Sequence, residues 1–205
     1  MAILVLQPFA VQRSAARGRA EQGILKGLYL LKDSKAKAKP RVQLLGSGTI
    51  LREVEAAAEL LEKDWGVAAD VWSATSFTEL RRDGLAAERW NLLHPEDKPR
   101  VPYVTQCLEK RAGPVVAASD YIKTFADQVR PFMPKDRVYK VLGTDGFGRS
   151  DSRAKLRHFF EVNRYFIAIA ALKALAESGE IKAKTVTEAI RKYGIDPDKP
   201  DPTTV

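Results

Sequence analysis

Short apolar runs alternate with longer amphipathic runs along most of the chain. Five of the short runs are bounded by turn residues or charged segments and predict buried strands, at roughly 27–31, 41–46, 69–74, 114–119 and 138–143. Apolar residues also recur at the spacing of one helix face in three sets: Leu51, Val54, Ala58 and Leu61; Ile122, Phe125, Ala126 and Val129; and Val186, Ala189, Ile190 and Tyr193. Strands that alternate with helices predict a mostly parallel sheet with helices on both faces.

Three segments depart from this simple alternation. A charged loop without a helix signal joins the run Leu28–Leu31 to the next strand, and so short a connection favours antiparallel pairing at a sheet edge. The stretch Leu156–Ala176 predicts one long helix, and Tyr165–Leu172 within it is apolar on all sides, as a central covering helix would be. Three prolines after residue 196 predict an irregular C-terminal tail.

The densest polar turn is Gly143–Arg153, between the last predicted strand and that long helix. Its glycines permit backbone angles that side chains forbid, and Ser150, Asp151 or Ser152 supplies a helix cap. We predict a structural, interfacial turn in which the acid binds backbone N–H groups, the apolar tip docks against a neighbouring domain or subunit, and the arginines pair with carboxylates there. The candidate interface residues are Asp145, Gly146, Phe147, Gly148, Arg149, Ser150 and Arg153.

Two other strand ends carry polar residues. Gly46-Ser47-Gly48 has the position of a phosphate-binding loop, but Leu51 replaces the third glycine of the dinucleotide pattern. We therefore expect a tight turn capped by Ser47 or Thr49. Asp120 follows the fourth predicted strand, where the ordinary use of an aspartate is to cap the next helix.

Residues with catalytic chemistry form no recognisable set. His94 precedes a proline in a predicted turn, and His158 is expected to be a partly buried structural histidine at the start of a helix. No nucleophile, base and orienting group can be combined, and no metal-ligand spacing occurs, so we predict no catalytic, cofactor-binding or metal-binding residue in the chain. The single cysteine, Cys107, suits a reducing compartment and hence the cytoplasm.

The net charge of +8 is unevenly distributed. Residues 1–41 hold nine Lys or Arg and two acids, whereas the remainder holds 25 basic and 24 acidic residues. The body of the protein is thus almost neutral, which argues against a nucleic-acid partner. The longest apolar run, Phe166–Leu172, is too short to span a bilayer, which takes about 20 residues.

Four blocks of sequence, in this order and spacing, carry a resemblance to a known family. They are Gly23–Tyr29 with Val42–Arg52; Val71–Gly84; Glu88–Asn91 with His94-Pro95 and Arg100–Tyr103; and Gly143–Arg153 with Leu156–His158. From about Glu21 to its end, the chain resembles the C-terminal domain of the transketolase superfamily. More narrowly, it is similar to the thiamine-dependent decarboxylating component of pyruvate dehydrogenase complexes, of the homodimeric bacterial type.

This resemblance implies a three-layer α/β/α domain whose five-stranded mixed sheet is mostly parallel, with one antiparallel edge strand. Residues 1–20 do not resemble the family, so we expect an unrelated or disordered segment at 1–20 and the domain at 21–205. That segment is either a transit peptide or, as we favour, the start of a truncated or frame-shifted reading frame. Asn163 stands where the family usually has an aspartate.

For function, the resemblance implies an enzyme that decarboxylates pyruvate on thiamine diphosphate and magnesium, and then acetylates a lipoyl group. The family binds this cofactor in domains upstream of the matching region, so we expect a fragment that is inactive alone and serves as scaffold. Its expected partners are a second copy of the subunit and the acetyltransferase core of the complex. Two alternatives stay open: a stand-alone interaction module for that core, and a fragment of another transketolase-like enzyme acting on 2-oxo acids or sugars.

Overall fold

The computed structural model describes residues 19–35 and 40–205. The predicted segment 1–20 lies outside the described residues except for its last two. In chain order the elements are α1 (Arg19–Leu25), β1 (Leu28–Lys32), β2 (Arg41–Gly46), α2 (Leu51–Trp65), β3 (Ala68–Ala74), α3 (Phe77–Leu93), α4 (Tyr103–Leu108), β4 (Val115–Ala118), α5 (Lys123–Asp127), β5 (Tyr139–Leu142), α6 (Arg153–Phe159), α7 (Arg164–Glu177) and α8 (Ala183–Lys192). Two 3-10 turns, Gly48–Ile50 and Arg130–Phe132, precede α2 and follow α5.

The five strands form one sheet in the order β1-β3-β2-β4-β5. The strand β1 lies at an edge and pairs antiparallel with β3, while the other pairs are parallel. All five predicted strands and the antiparallel edge strand are therefore confirmed. The partner of β1 is β3 and not β2, the next strand along the chain, because β2 occupies the centre of the sheet.

Each face of the sheet is covered by its own layer of helices. Val42, Leu44, Val71 and Val116 are buried on one face, in one cluster with residues of α2, α7 and α8. Residues from the same strands that point the other way pack with α3, α4 and α5 on the opposite face. The α/β/α arrangement in three layers is thus confirmed, and among the described residues no helix is long and apolar enough to cross a membrane.

A buried polar network holds the start of β2 and β3 together. The carboxylate of Asp70 is fully buried and accepts hydrogen bonds from the Arg41 guanidinium and from Gln43 Nε2, the latter at 2.8 Å. Gln43 Oε1 in turn accepts the indole N–H of Trp72 at 2.8 Å. These charged and polar groups satisfy one another inside the fold, so they indicate a structural role.

The single long helix predicted for Leu156–Ala176 is wrong. The chain ends α6 at Phe159, passes Glu161 with φ of 61° and buries Val162 before α7 begins at Arg164. The side chain of Asn163 caps α7 by accepting the N–H groups of Tyr165 and Phe166 at 3.1 and 3.2 Å. An aspartate at this position, as in the family pattern, is equally able to make such a cap.

The second apolar set along the chain marks a shorter helix than its spacing suggests. Ala126 and Val129 are buried, whereas Ile122 and Phe125 are 47% and 42% exposed. The helix α5 covers only Lys123–Asp127, so these four residues do not share one buried face. The first apolar set lies on α2, and the third lies on α8 with Tyr193 directly after the last residue of that helix. The tail after α8 is irregular, as predicted.

Candidate subunit interface at the Gly143–Arg153 turn

The Gly143–Arg153 turn leaves the carboxyl end of β5 and packs against the connection between β4 and α5. Gly143 is buried there, and a Cβ atom on it would lie 2.6 Å from the carbonyl oxygen of Tyr121. Thr144 fixes the approach by donating its N–H to that same oxygen at 2.9 Å and its hydroxyl to the carbonyl of Asp120 at 2.8 Å. The start of the turn is therefore anchored by backbone contacts with the neighbouring connection.

Asp145 caps a helix of that neighbouring connection. Its Oδ1 accepts the backbone N–H of Lys123, the first residue of α5, at 3.0 Å, and its Oδ2 lies 3.6 Å from Lys123 Nζ. The expectation that Asp145 binds N–H groups within its own turn is wrong, and so is the expectation that Asp120 caps α5. Asp120 instead accepts a hydrogen bond from the Thr49 hydroxyl at 3.2 Å.

Gly146 is the point where the C-terminal tail contacts the turn. Its φ is +107°, and a Cβ atom on it would lie 2.2 Å from the carbonyl oxygen of Pro202. Pro202 is buried, and the tail around it is held by hydrogen bonds from Thr203 to Asp201. Gly148 has open space around it and an ordinary φ, so only the first of these two glycines is required by contact and conformation.

The second half of the turn faces solvent. Phe147 is 78% exposed, the highest value of any phenylalanine among the exposed large apolar residues of the described chain. The Arg149 guanidinium lies 4.6 Å from the ring centre of Phe159, and Ser150 is exposed. Arg153 is exposed, and within the described residues its guanidinium forms no hydrogen bond or ion pair. An apolar tip flanked by two cations is thus exposed, and its docking against a neighbouring domain or subunit stays a prediction.

One of the three predicted caps starts the helix after this turn. The hydroxyl of Ser152 accepts the backbone N–H of Lys155 at 3.5 Å, at the long limit of a hydrogen bond. Asp151 supports it by accepting the N–H of Ser152 at 2.6 Å. The turn is therefore fixed at Gly143, Asp145 and Gly146 on one side, and at Ser152 on the other.

The glycine turn after β2 is filled by protein side chains. A Cβ atom at Gly46 would lie 2.8 Å from Leu51 Cδ1, and the Ser47 side chain makes no capping hydrogen bond. The tight turn is confirmed, with Gly48 at φ of 58°, but the predicted Ser47 or Thr49 cap is wrong because the hydroxyl of Thr49 bonds Asp120. No phosphate cradle remains at this position.

The titratable residues that the sequence analysis considered for catalysis have structural surroundings. His94 ends α3 in the predicted turn, with its ring stacked on Trp90 at 3.6 Å between centres. His158 lies near the end of α6 and is exposed, so its predicted place at a helix start in partly buried surroundings is wrong. Burial raises the pKa of the Cys107 thiol, which disfavours the thiolate that a nucleophile needs.

A second exposed apolar surface was missed by the sequence reasoning. Leu85, Leu92 and Leu93 on α3 are 46%, 78% and 53% exposed, and Val101 in the following loop is 45% exposed. Asn91 fixes that loop by donating to the carbonyl of Arg100 and accepting its N–H, and the Arg100 guanidinium lies over the Trp90 ring. The sequence does contain a pattern that predicts this surface, because the leucines at positions 85 and 92 recur at heptad spacing on one helix face.

The fold and its outward turn define a domain that offers surfaces for contact. The sequence model of the family described as the transketolase-like TK C-terminal domain matches residues 27–163. The chain belongs to this family.

The chain is most informatively compared with two bacterial relatives named pyruvate dehydrogenase E1 component. It is 60% identical to the Pseudomonas aeruginosa protein over 200 residues, which is 98% of this chain and 22% of that protein. It is 57% identical to the Escherichia coli K12 protein over 183 residues, which is 89% of this chain and 20% of that protein. The chain thus spans about a fifth of the length of these relatives and matches their C-terminal portion. The resemblance stated from sequence is confirmed.

The longer alignment reaches into residues 1–20. Because the Pseudomonas match covers 98% of this chain, it includes most of the segment that the sequence analysis set apart as unrelated. The domain boundary after residue 20 stays a prediction.

Solved transketolases share the fold. The Leishmania mexicana enzyme matches with a TM-score of 0.50 and 18% identity, over 76% of this chain and 19% of that one. A Pichia stipitis transketolase in complex with sedoheptulose-7-phosphate matches with a TM-score of 0.50 and 19% identity, over 77% of this chain and 19% of that one. At this level of identity the likeness concerns the fold alone.

Proposed function

We propose that this chain is the C-terminal domain of a pyruvate dehydrogenase E1 component, the acetyl-transferring decarboxylating enzyme. The observation that carries the proposal is the 60% identity to such a protein along nearly the whole chain. The longer protein oxidatively decarboxylates pyruvate and acetylates lipoyl groups, and it works in the cytoplasm. In it, this domain serves as scaffold and contributes subunit contacts.

Thiamine diphosphate and magnesium belong to other domains of the longer protein. Among the described residues, no group of three or more His, Cys, Asp or Glu side chains is arranged to hold a metal ion. The one glycine turn with the position of a phosphate loop is filled by Leu51. These residues do not fit the cofactor, so calorimetric titration of the chain with thiamine diphosphate and magnesium should give no saturable heat, and saturable binding would contradict the proposal.

The partner at the Gly143–Arg153 turn is a second copy of the subunit. An exposed phenylalanine between two glycines is costly to leave in water and favourable to bury against a neighbour. The cations at Arg149 and Arg153 suit carboxylates on that neighbour, and one partly buried charge-assisted hydrogen bond is worth roughly 1.5–3 kcal/mol. Nucleic acid and membrane are not among the proposed partners.

Arg149→Ala and Phe147→Ser in the longer protein test this role. Both should raise the dissociation constant of the dimer in sedimentation velocity, by tenfold or more for a loss of about 1.5–3 kcal/mol. Turnover per assembled dimer should stay unchanged, because the turn contributes contact. Arg191→Ala, an exposed arginine on α8, is the matched control. An intact dimer that has lost turnover would assign the turn to the chemistry and contradict the proposal.

The apolar surface of Leu85, Leu92, Leu93 and Val101 favours a second contact, with the acetyltransferase core. In the stand-alone alternative, the isolated chain would capture that core by this surface. A pull-down with the core should retain the chain, and Leu92→Ser should release it, if the alternative holds. Retention of the longer protein alone would favour the fragment proposal.

A further inference from the structure

A cleft of about 640 Å³ opens at the corner between α6 and α7, on the sheet face covered by α2, α7 and α8. We call it the α6–α7 cleft, and of the residues in the two contact surfaces described above only Arg153 lines it. Its lining comprises Glu53, Arg153, Ala154, Lys155, Arg157, His158, Asn163, Arg164, Tyr165, Tyr193 and Ile195.

Positive charge is concentrated in this cleft. Four of its described lining residues, Arg153, Lys155, Arg157 and Arg164, are cationic, and Glu53 is its carboxylate. The protein after residue 41, by contrast, holds nearly equal numbers of basic and acidic residues. The excess of cations at one concave surface is therefore local, and concave low-dielectric walls strengthen its attraction for anions.

Glu53 holds two of the guanidinium groups in place without exhausting them. Its carboxylate accepts from Arg157 Nη1 at 2.9 Å, from Arg164 Nε at 3.0 Å and from Arg164 Nη2 at 3.2 Å. A guanidinium has five N–H donors, so both arginines keep donors for another acceptor. Because one carboxylate faces two guanidinium charges, the pre-positioned pair keeps a net positive charge.

The remaining two cations are available at the rim. Arg153 is exposed and forms no hydrogen bond or ion pair with the described residues. The side chain of Lys155 is 75% exposed, and among the described residues its one ion pair is long, 3.7 Å from Nζ to Asp151 Oδ1. Neither side chain has to break a strong contact to reach a bound anion.

Flat and apolar surfaces also line the cleft. The rings of Tyr165 and Tyr193 lie 5.1 Å apart at 38°, and Ala154 and Ile195 add aliphatic surface. The Tyr193 hydroxyl is fixed, since it accepts from Trp65 Nε1 at 2.8 Å and donates to Asp64 Oδ2 at 3.1 Å. Burial raises the pKa of Tyr193 to about 12, so its ring stays neutral and suits a hydrophobic or aromatic group.

We propose that the α6–α7 cleft binds a small phosphorylated organic molecule with an aromatic or otherwise flat body. The forked donors of Arg157 and Arg164 match the oxygens of a phosphate group, and two further cations complete its neutralisation. The rings of Tyr165 and Tyr193 contact the flat body of the ligand. The cleft shares Arg153 with the proposed subunit contact, whereas Phe147 and Arg149 do not line it.

Titration of the isotope-labelled chain, followed by NMR, tests the site with three probes. Phenyl phosphate has both parts of the proposed ligand, inorganic phosphate has only the anion, and benzoate has a ring with a carboxylate. We expect saturable amide shifts centred on residues 163–165 and 193–195, with affinity falling in the order phenyl phosphate, phosphate, benzoate. Benzoate binding as tightly as phenyl phosphate would overturn the phosphate assignment.

The double substitution Arg153→Gln with Lys155→Gln removes the two rim cations at exposed positions. It should weaken phenyl phosphate binding at least tenfold and leave the melting temperature unchanged. Arg89→Gln, exposed on α3 at the opposite sheet face, is the matched control and should change affinity less than twofold. Shifts spread over all surface cations, or equal affinities for the double variant and the control, would refute the proposal.

Discussion

The contact between Gly146 and the C-terminal tail can be tested by adding a single methyl group. In Gly146→Ala the new Cβ would meet the Pro202 carbonyl oxygen at 2.2 Å, at a residue whose φ is +107°. A side chain at such a φ costs roughly 1–3 kcal/mol, and overpacking typically costs about 1–3 kcal/mol more. Because the tail can shift and relieve part of this overlap, we expect the free energy of unfolding to fall by about 2–4 kcal/mol.

Thermal unfolding measures this loss, since 1 kcal/mol shifts the melting temperature of a protein of this size by roughly 2–4 °C. The expected decrease is therefore about 5–15 °C. The exchange rate of the Thr203 amide reports on the tail directly, because this N–H is bonded to Asp201 at 2.8 Å. It should exchange faster in Gly146→Ala once the tail is displaced.

Gly148→Ala is the control within the same turn. A Cβ atom there meets nothing within 4 Å, and the φ of Gly148 is ordinary. The change should stay within about 0.5 kcal/mol of the parent. Equal melting temperatures for the two variants would refute the reasoning, because the tail would then not pack on Gly146.

Two further substitutions test buried or capping contacts. Asn163→Ala should lower the free energy of unfolding by about 1 kcal/mol in urea titration, while Asn163→Asp keeps the cap and most of the stability. Burial raises the pKa of Glu53, but the hydrogen bonds and charges of Arg164 and Arg157 outweigh it, so the folded pKa lies below the ordinary 4.5. The stabilisation from the ionised Glu53 carboxylate is present above pH 4.5 and is lost as pH falls through the folded pKa. Urea titration should therefore find Glu53→Gln less stable than the parent by about 3 kcal/mol at pH 7, and this difference should narrow below pH 4. A difference in stability that does not change with pH would contradict the assignment.

The strands were predictable because both faces of the sheet are covered. A parallel strand buried on two sides is apolar along its whole length, and such runs stand out against the polar loops around them. The register of β2 against β3, with Leu44 opposite Val71, then follows from their burial on the same face. The short connection after β1 favours an antiparallel edge strand, in agreement with the resemblance to the family, but it assigns that strand to no particular partner.

The sequence analysis missed the break between α6 and α7 because the spacing of apolar residues carries no information about a helix cap. Asn163 is the one short polar side chain near the middle of that apolar stretch, and its capping preference predicts a helix start. Glu161, which has a positive φ, also contacts the tail, because Lys199 Nζ donates to its carboxylate at 2.8 Å. A contact across 38 residues leaves no mark on the local pattern.

The two halves of the candidate interface also differ in whether local sequence or distant contacts determine them. The outward half follows from the sequence, since a phenylalanine between glycines on a polar turn has no local apolar neighbour to cover it. The inward half does not, because Asp145 caps a helix that begins 22 residues earlier and Gly146 is selected by a proline near the chain end. The sequence analysis made no prediction for Glu53. Only the fold shows that its carboxylate is buried beside Leu51 and Val54 of α2, and that its partners are arginines more than 100 residues away.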